Sequence, residues 1–139
     1  MVIKISKTYK PSSKEKFMNA KQKEYFRRKL LAWKEQLLKE SQGTIESLKG
    51  ENHVQKSDEV DIAALESDRY LELKTRDRQR KLISKIDAAL KRLKDGTYGF
   101  CEETGEPIGL KRLIARPIAT LSIAAQEKHE REEKIYAEL

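Results

Sequence analysis

Apolar residues recur along residues 21–49 at steps of three and four: Phe26, Leu30, Trp33, Leu37, then Thr44 and Leu48, with Ser41 filling the gap. That spacing is the seam of a helix built to pair with another helix. About 30 residues of helix reach roughly 45 Å. Gly50 and Asn52 are its stop signals. The polar stretch "GENHVQKSDEVD" reads as a loop. Ser57 or Asp58 then starts a second helix, with Asp58, Glu59 and Asp61 in its first turn, where carboxylates complement the partial positive charge of the helix N-terminus. A seam of Leu82, Ile83, Ile86, Leu90 and Leu93 carries this helix to Asp95, where "DGTYG" breaks it. The seam is weak across "KTRDRQRK", residues 74–81, which holds no apolar residue.

The pattern predicts a mainly α protein in three parts. Residues 1–20 form a tail and a short helix, started by a capping box at Ser12 and Glu15. Residues 21–95 form a long antiparallel coiled-coil hairpin with its tip near 50–63, so that acidic residues at the tip are held far from the body. Residues 96–139 form a small globular domain and a C-terminal helix. Tyr98, Phe100, Ile108, Leu110, Leu113 and Ile114 supply an irregular core over 96–119, and a helix follows from Thr120 to about Glu138.

Charge sharpens this picture. The 139 residues carry a formal net charge of +7, unevenly spread. Residues 1–40 hold twelve Lys/Arg against four Asp/Glu, and residues 74–94 hold nine against two. Residues 58–69 reverse the sign, with five acids against Arg69. A basic molecule with one short acidic segment suits a large partner with both acidic and basic surface. The single cysteine excludes an intramolecular disulfide, and no signal peptide or membrane span is visible. A cytoplasmic location is expected.

"YGFCEETGEPIG", residues 98–109, has the surroundings of a zinc knuckle, but the residue three after Cys101 is Thr104. The second pair would fall at Ser122 and Ala125. A structural zinc site is closed and takes four ligands, so one thiolate and two hydroxyls do not make one. His53 and His129 as substitutes still leave positions empty. No metal cofactor is expected, and Cys101 reads as a small, partly buried residue.

Together "MNAKQKEYFRRKLLAWKEQLL", "SDEVDIAA", "LELKTRDRQRKLISKI" and "YGFCEETGEPIGLKRLIARPIATLS" resemble the DksA/TraR family of bacterial transcription factors, over residues 18–135 and in the family's order. The resemblance implies a coiled-coil hairpin on a zinc-finger-like globular domain. It implies binding to RNA polymerase, with the hairpin inserted into the secondary channel, and an effect on initiation at ribosomal RNA and stringent-response promoters strengthened by the alarmone ppGpp. The family's tip motif Asp-x-x-Asp-x-Ala is matched by Asp58, Asp61 and Ala63. Arg78 matches an arginine of polymerase contact. Leu82, Lys85 and Arg116 match the alarmone pocket, while Gln126 stands where the family often has lysine. The four zinc positions correspond to Cys101, Thr104, Ser122 and Ala125, so the chain resembles a zinc-independent variant. Apolar packing by Ile108, Leu110, Leu113, Ile118, Leu121 and Ile123 is then expected to hold the unit.

From the residues alone, Asp58 and Asp61 also read as simple helix-dipole partners, and "KTRDRQRK" as a solvated face or an electrostatic guide. Two other classes stay open: a basic helical nucleic-acid-binding protein and a Gre-like transcript-cleavage factor. Sequence-specific DNA binding is not expected, because no recognition-helix signature is present. Nor is an enzyme, since there is no nucleophile–base pair, glycine-rich phosphate loop or complete metal set. The chain is expected to be a monomer.

Overall fold

The computed structural model describes the backbone of residues 4–51 and 59–138 and the side chains of 4–43 and 62–138. Four helices lie within them: α1 (Ala20–Glu51), α2 (Glu59–Asp95), α3 (Leu110–Ala115) and α4 (Ile123–Glu138). No strand occurs among the described residues; an isolated antiparallel bridge joins Phe100 and Pro107. The chain divides into two compact units, Met1–Leu30 with Asp87–Leu139, and Leu31–Ile86.

In the Leu31–Ile86 unit, Gln79 Nε2 donates to Glu40 Oε2 at 3.3 Å. Only seven residues separate α1 from α2. A helix continuing away from that short connection would carry residue 79 tens of ångströms from residue 40, so the two run antiparallel. Leu37, Gln79 and Ile86 are buried at 6%, 8% and 0% exposure. Gln79 is the residue that crosses the weak stretch of the seam: the run "KTRDRQRK" turns its one uncharged amide inward. The helix α1 ends at Glu51, between the two stop signals Gly50 and Asn52. Asn52, Ser57 and Asp58 lie outside the described residues.

The other unit is built around aromatic contacts. Phe26 is fully buried and lies 5.5 Å from Tyr98, centroid to centroid, and Tyr25 meets Phe26 edge-on at 5.3 Å. Tyr98 donates its hydroxyl to Pro117 O at 2.8 Å, and burial raises its pKa well above the usual phenol value. Phe17 meets Phe100 edge-on at 5.7 Å. Gly96 takes a left-handed φ of 85° just past α2, and the N–H groups of Gly96 and Thr97 return to Arg92 O at 2.9 and 3.0 Å. A glycine there closes the helix without a Cβ penalty.

Four expectations are corrected here. Residues 12–19 form turns rather than a short helix. The box read at Ser12 and Glu15 does not form, and α1 is capped by Asn19 with Gln22 reaching back past it. Asn19 Oδ1 accepts the Gln22 N–H at 2.9 Å, and Gln22 Oε1 accepts the Met18 N–H at 2.8 Å. Glu15 is occupied by the Tyr9 hydroxyl and the Asn19 amide. Ile123, expected to pack, is 55% exposed because it opens α4 on the solvent side, and Ile114 is 40% exposed. The globular unit also holds the six-residue α3, where only irregular chain was expected.

Candidate functional site

The long basic run on α2 forms a groove. Lys74, Asp77, Arg78, Lys81, Leu82 and Lys85 line a cavity of about 480 Å³. Their spacing of three and four places them on one helical face. Four cations face one carboxylate. Asp77 is held by Arg80 at 2.7 Å and Lys81 at 3.2 Å, and its hydrogen bond from Arg80 comes first among the causes that keep its pKa below the ordinary range. Lys74 sits 4.8 Å over the Tyr70 ring. Arg78 and Lys85 are exposed and make no ion pair among the described residues. The groove offers spaced cations beside an apolar step at Leu82, a surface suited to an anion with an apolar part.

So three residues singled out from the sequence, Arg78, Leu82 and Lys85, come together, joined by Lys74 and Lys81. The signal for Lys81 was its spacing of three and four from Arg78 and Lys85. Arg116 lies in the other unit, exposed at the C-terminal end of α3, with its N–H bonded to Arg112 O at 2.7 Å. Gln126 donates to Glu130 Oε1 at 3.2 Å. At the start of α2, Ala63 is exposed and Asp61 lies in the first turn, its side chain outside the described atoms. Asp58 is outside the described residues.

Backbone hydrogen bonds close the turn after Cys101. The Cys101 N–H donates to Glu106 O at 2.8 Å, and the Gly105 N–H returns to Cys101 O at 2.9 Å. Cys101 is 3% exposed. Burial raises its pKa, but the Thr104 side chain and the backbone N–H groups of Ser122, Thr104 and Glu103 face the sulfur and outweigh burial, bringing the thiol down to about 6. Positions 101, 104 and 122 therefore still converge, with hydroxyl and amide donors around one sulfur. Ser122 also caps α4, because its Oγ accepts the Ala125 N–H at 3.2 Å. His129 pairs with Glu103, whose hydrogen bond raises the imidazole pKa. The donor set does not fit zinc. Among the described residues no group of three or more His, Cys, Asp or Glu could hold a metal. No described helix is long and apolar enough to cross a membrane.

Two family models match the chain. The DnaK suppressor protein DksA N-terminal domain covers residues 22–93, and the prokaryotic dksA/traR C4-type zinc finger covers 96–131. The chain is 62% identical over 130 residues to the RNA polymerase-binding transcription factor DksA of Caulobacter vibrioides, spanning 92% of this chain and 89% of that one. It is 43% identical over 126 residues to the factor of the same name from Escherichia coli K12, spanning 91% and 83%. The solved structure of transcription factor DksA2 from Pseudomonas aeruginosa superposes with a TM-score of 0.78 at 43% identity, covering 85% of this chain and 90% of that one. The paired helices, the knuckle without its full cysteine set and these matches along both halves have one reading: the chain belongs to the DksA/TraR family.

Proposed function

We propose that the protein is a transcription factor that binds RNA polymerase, inserts the 21–95 hairpin into the secondary channel and modulates initiation together with ppGpp. The match along nearly the whole chain to factors named RNA polymerase-binding carries this reading. Asp58, Asp61 and Ala63 act at the tip. Arg78 contacts polymerase. Leu82 and Lys85 of the α2 groove, with Arg116, take the alarmone; the cluster of Lys74, Arg78, Lys81 and Lys85 supplies the charge such an anion requires. The factor works without zinc, as a monomer in the cytoplasm, and is not itself an enzyme. One thiolate among the four knuckle positions supports the zinc-free reading.

The test is transcription in vitro from a ribosomal RNA promoter by purified polymerase, with EDTA-treated protein, with and without ppGpp. Inhibition that survives EDTA, grows with ppGpp and disappears in Asp61→Asn is expected. Asp61→Asn should shift folding stability by no more than about 1 kcal/mol, the worth of one helix-terminal charge. Equal inhibition by wild type and Asp61→Asn refutes the role of the tip, and loss of activity in EDTA refutes the zinc-free reading.

A further inference from the structure

A second cavity, of about 390 Å³, lies between the N-terminal segment and the first turns of α1. Ile5, Ser6, Lys7 and Tyr9 of the segment line it together with Tyr25, Arg28 and Lys29 of α1. The volume falls within the roughly 300–1,000 Å³ of small-molecule sites. Three cations line it and no carboxylate does.

Two of the cations, Arg28 and Lys29, are held in place without being neutralised one for one. Arg28 Nε binds Glu24 Oε1 at 2.9 Å, and Arg28 Nη1 points to Ile5 O at 3.4 Å, which ties the N-terminal segment to the helix. Glu24 is shared with Arg27, whose hydrogen bond is the main cause that holds the carboxyl down at about 2. One carboxylate thus serves two guanidinium groups. Lys29 Nζ donates to Ile114 O at 2.9 Å and lies 5.9 Å over the Tyr25 ring. A carbonyl and a ring face orient an ammonium but leave its charge in place. Lys7 is exposed, with no ion pair among the described residues.

The apolar part of the wall is equally defined. Tyr9 and Tyr25 meet edge-on at 6.3 Å, and the Tyr9 hydroxyl is anchored on Glu15 at 2.6 Å, where burial, reinforced by Glu15, pushes its pKa up to about 12. Tyr9, Tyr25 and Ile5 are each partly exposed. Cations beside two aromatic rings in a concavity of this size match a phosphorylated ligand with a flat apolar end. The phosphate takes the N–H donors, and the ring system lies along the tyrosines.

We propose that this cavity binds a nucleoside diphosphate, with its phosphates on Lys7, Arg28 and Lys29 and its base against Tyr9 and Tyr25. It is separate in sequence from the α2 groove and does not rest on the function proposed for that groove.

The test is isothermal titration calorimetry of the full chain with ADP, GDP, guanosine and inorganic pyrophosphate, beside Lys7→Glu, Tyr25→Leu and Lys85→Ala. The Lys7 side chain is exposed and pairs with no carboxylate among the described residues, so its variant isolates charge. Saturable binding of ADP and GDP is expected. Lys7→Glu should weaken it at least about tenfold, the scale of one charge-assisted contact. Tyr25→Leu should weaken the nucleotides but not pyrophosphate. No saturable nucleotide binding at ~1 mM overturns the proposal. So does binding lost in Lys85→Ala but kept in Lys7→Glu, which would place the ligand on the α2 groove. Pyrophosphate that binds as tightly as the nucleotides overturns the role of the tyrosines and leaves a plain anion site.

Discussion

Gly99→Ala tests how the N-terminal segment and the knuckle hold each other. Gly99 has a left-handed φ of 89°, and a Cβ there would lie 3.0 Å from Met18 Cγ, 3.2 Å from Met18 Sδ and 3.3 Å from Phe17 Cζ. Carbon pairs at rest sit at about 3.5–4.0 Å. Met18 cannot easily back away. It is 6% exposed, it already has a positive φ of 55°, and its N–H is held by Gln22. Phe17 is seated against Phe100. The substitution therefore adds two costs: about 1–2 kcal/mol for an alanine in left-handed backbone, and about 1–3 kcal/mol for overpacking. Gly96→Ala is the control. Its φ is 85° but a Cβ there meets nothing within 4 Å, so it bears only the first cost. Urea unfolding followed by far-ultraviolet circular dichroism reads both. Gly99→Ala should be less stable than Gly96→Ala by at least about 1 kcal/mol. Equal midpoints would show that the segment does not press on the knuckle, and the argument from the Met18 contact would fail.

Two further outcomes follow from the globular unit. Tyr98→Phe removes the buried hydroxyl that serves Pro117 O and should cost about 1–2 kcal/mol in urea unfolding; an unchanged midpoint would mean that this hydrogen bond contributes nothing net. Cys101 should make stability depend on pH. Its thiol lies at about 6 when folded against an ordinary 9.0, a depressed value, so its contribution is full above pH 9 and is lost as pH falls through 6. The difference in urea midpoint between wild type and Cys101→Ala should grow from pH 6 to pH 9, and a constant difference would refute a thiolate held by the Thr104 and Ser122 donors.

The long helices were readable because apolar residues at steps of three and four leave few alternatives over thirty residues. Their cap was not. Asn19 caps α1 by accepting the Gln22 N–H, while the box read at Ser12 and Glu15 for a separate short helix does not form, its Glu15 carboxylate being taken by Tyr9 and Asn19. Gln79 was hidden for a related reason. Its position, three and four residues before Leu82 and Ile83, lies on the seam, but a polar residue in a charged run gives no hydrophobic signal there, and its partner Glu40 is on the other helix. Ile123 was misplaced because hydrophobicity alone ignores where a helix starts: once Ser122 caps α4, the next residue faces out. In the α2 groove, family resemblance named Arg78, Leu82 and Lys85, and helical spacing alone accounts for Lys74 and Lys81 beside them.

The cap at Ser122 changes what repair of the knuckle would mean. Cysteines introduced at positions 104, 122 and 125 would complete a four-thiolate set, yet they would also delete the hydroxyl that satisfies the first turn of α4 and the donor beside the Cys101 sulfur. A cap of this kind is worth about 1 kcal/mol. The corner holds small polar contacts: the Ser122 Oγ at the start of α4, and the Thr104 and backbone donors around the Cys101 sulfur. On the zinc-free reading proposed above, such a corner loosens one contact at a time, whereas a metal-centred corner opens all at once when its ion leaves.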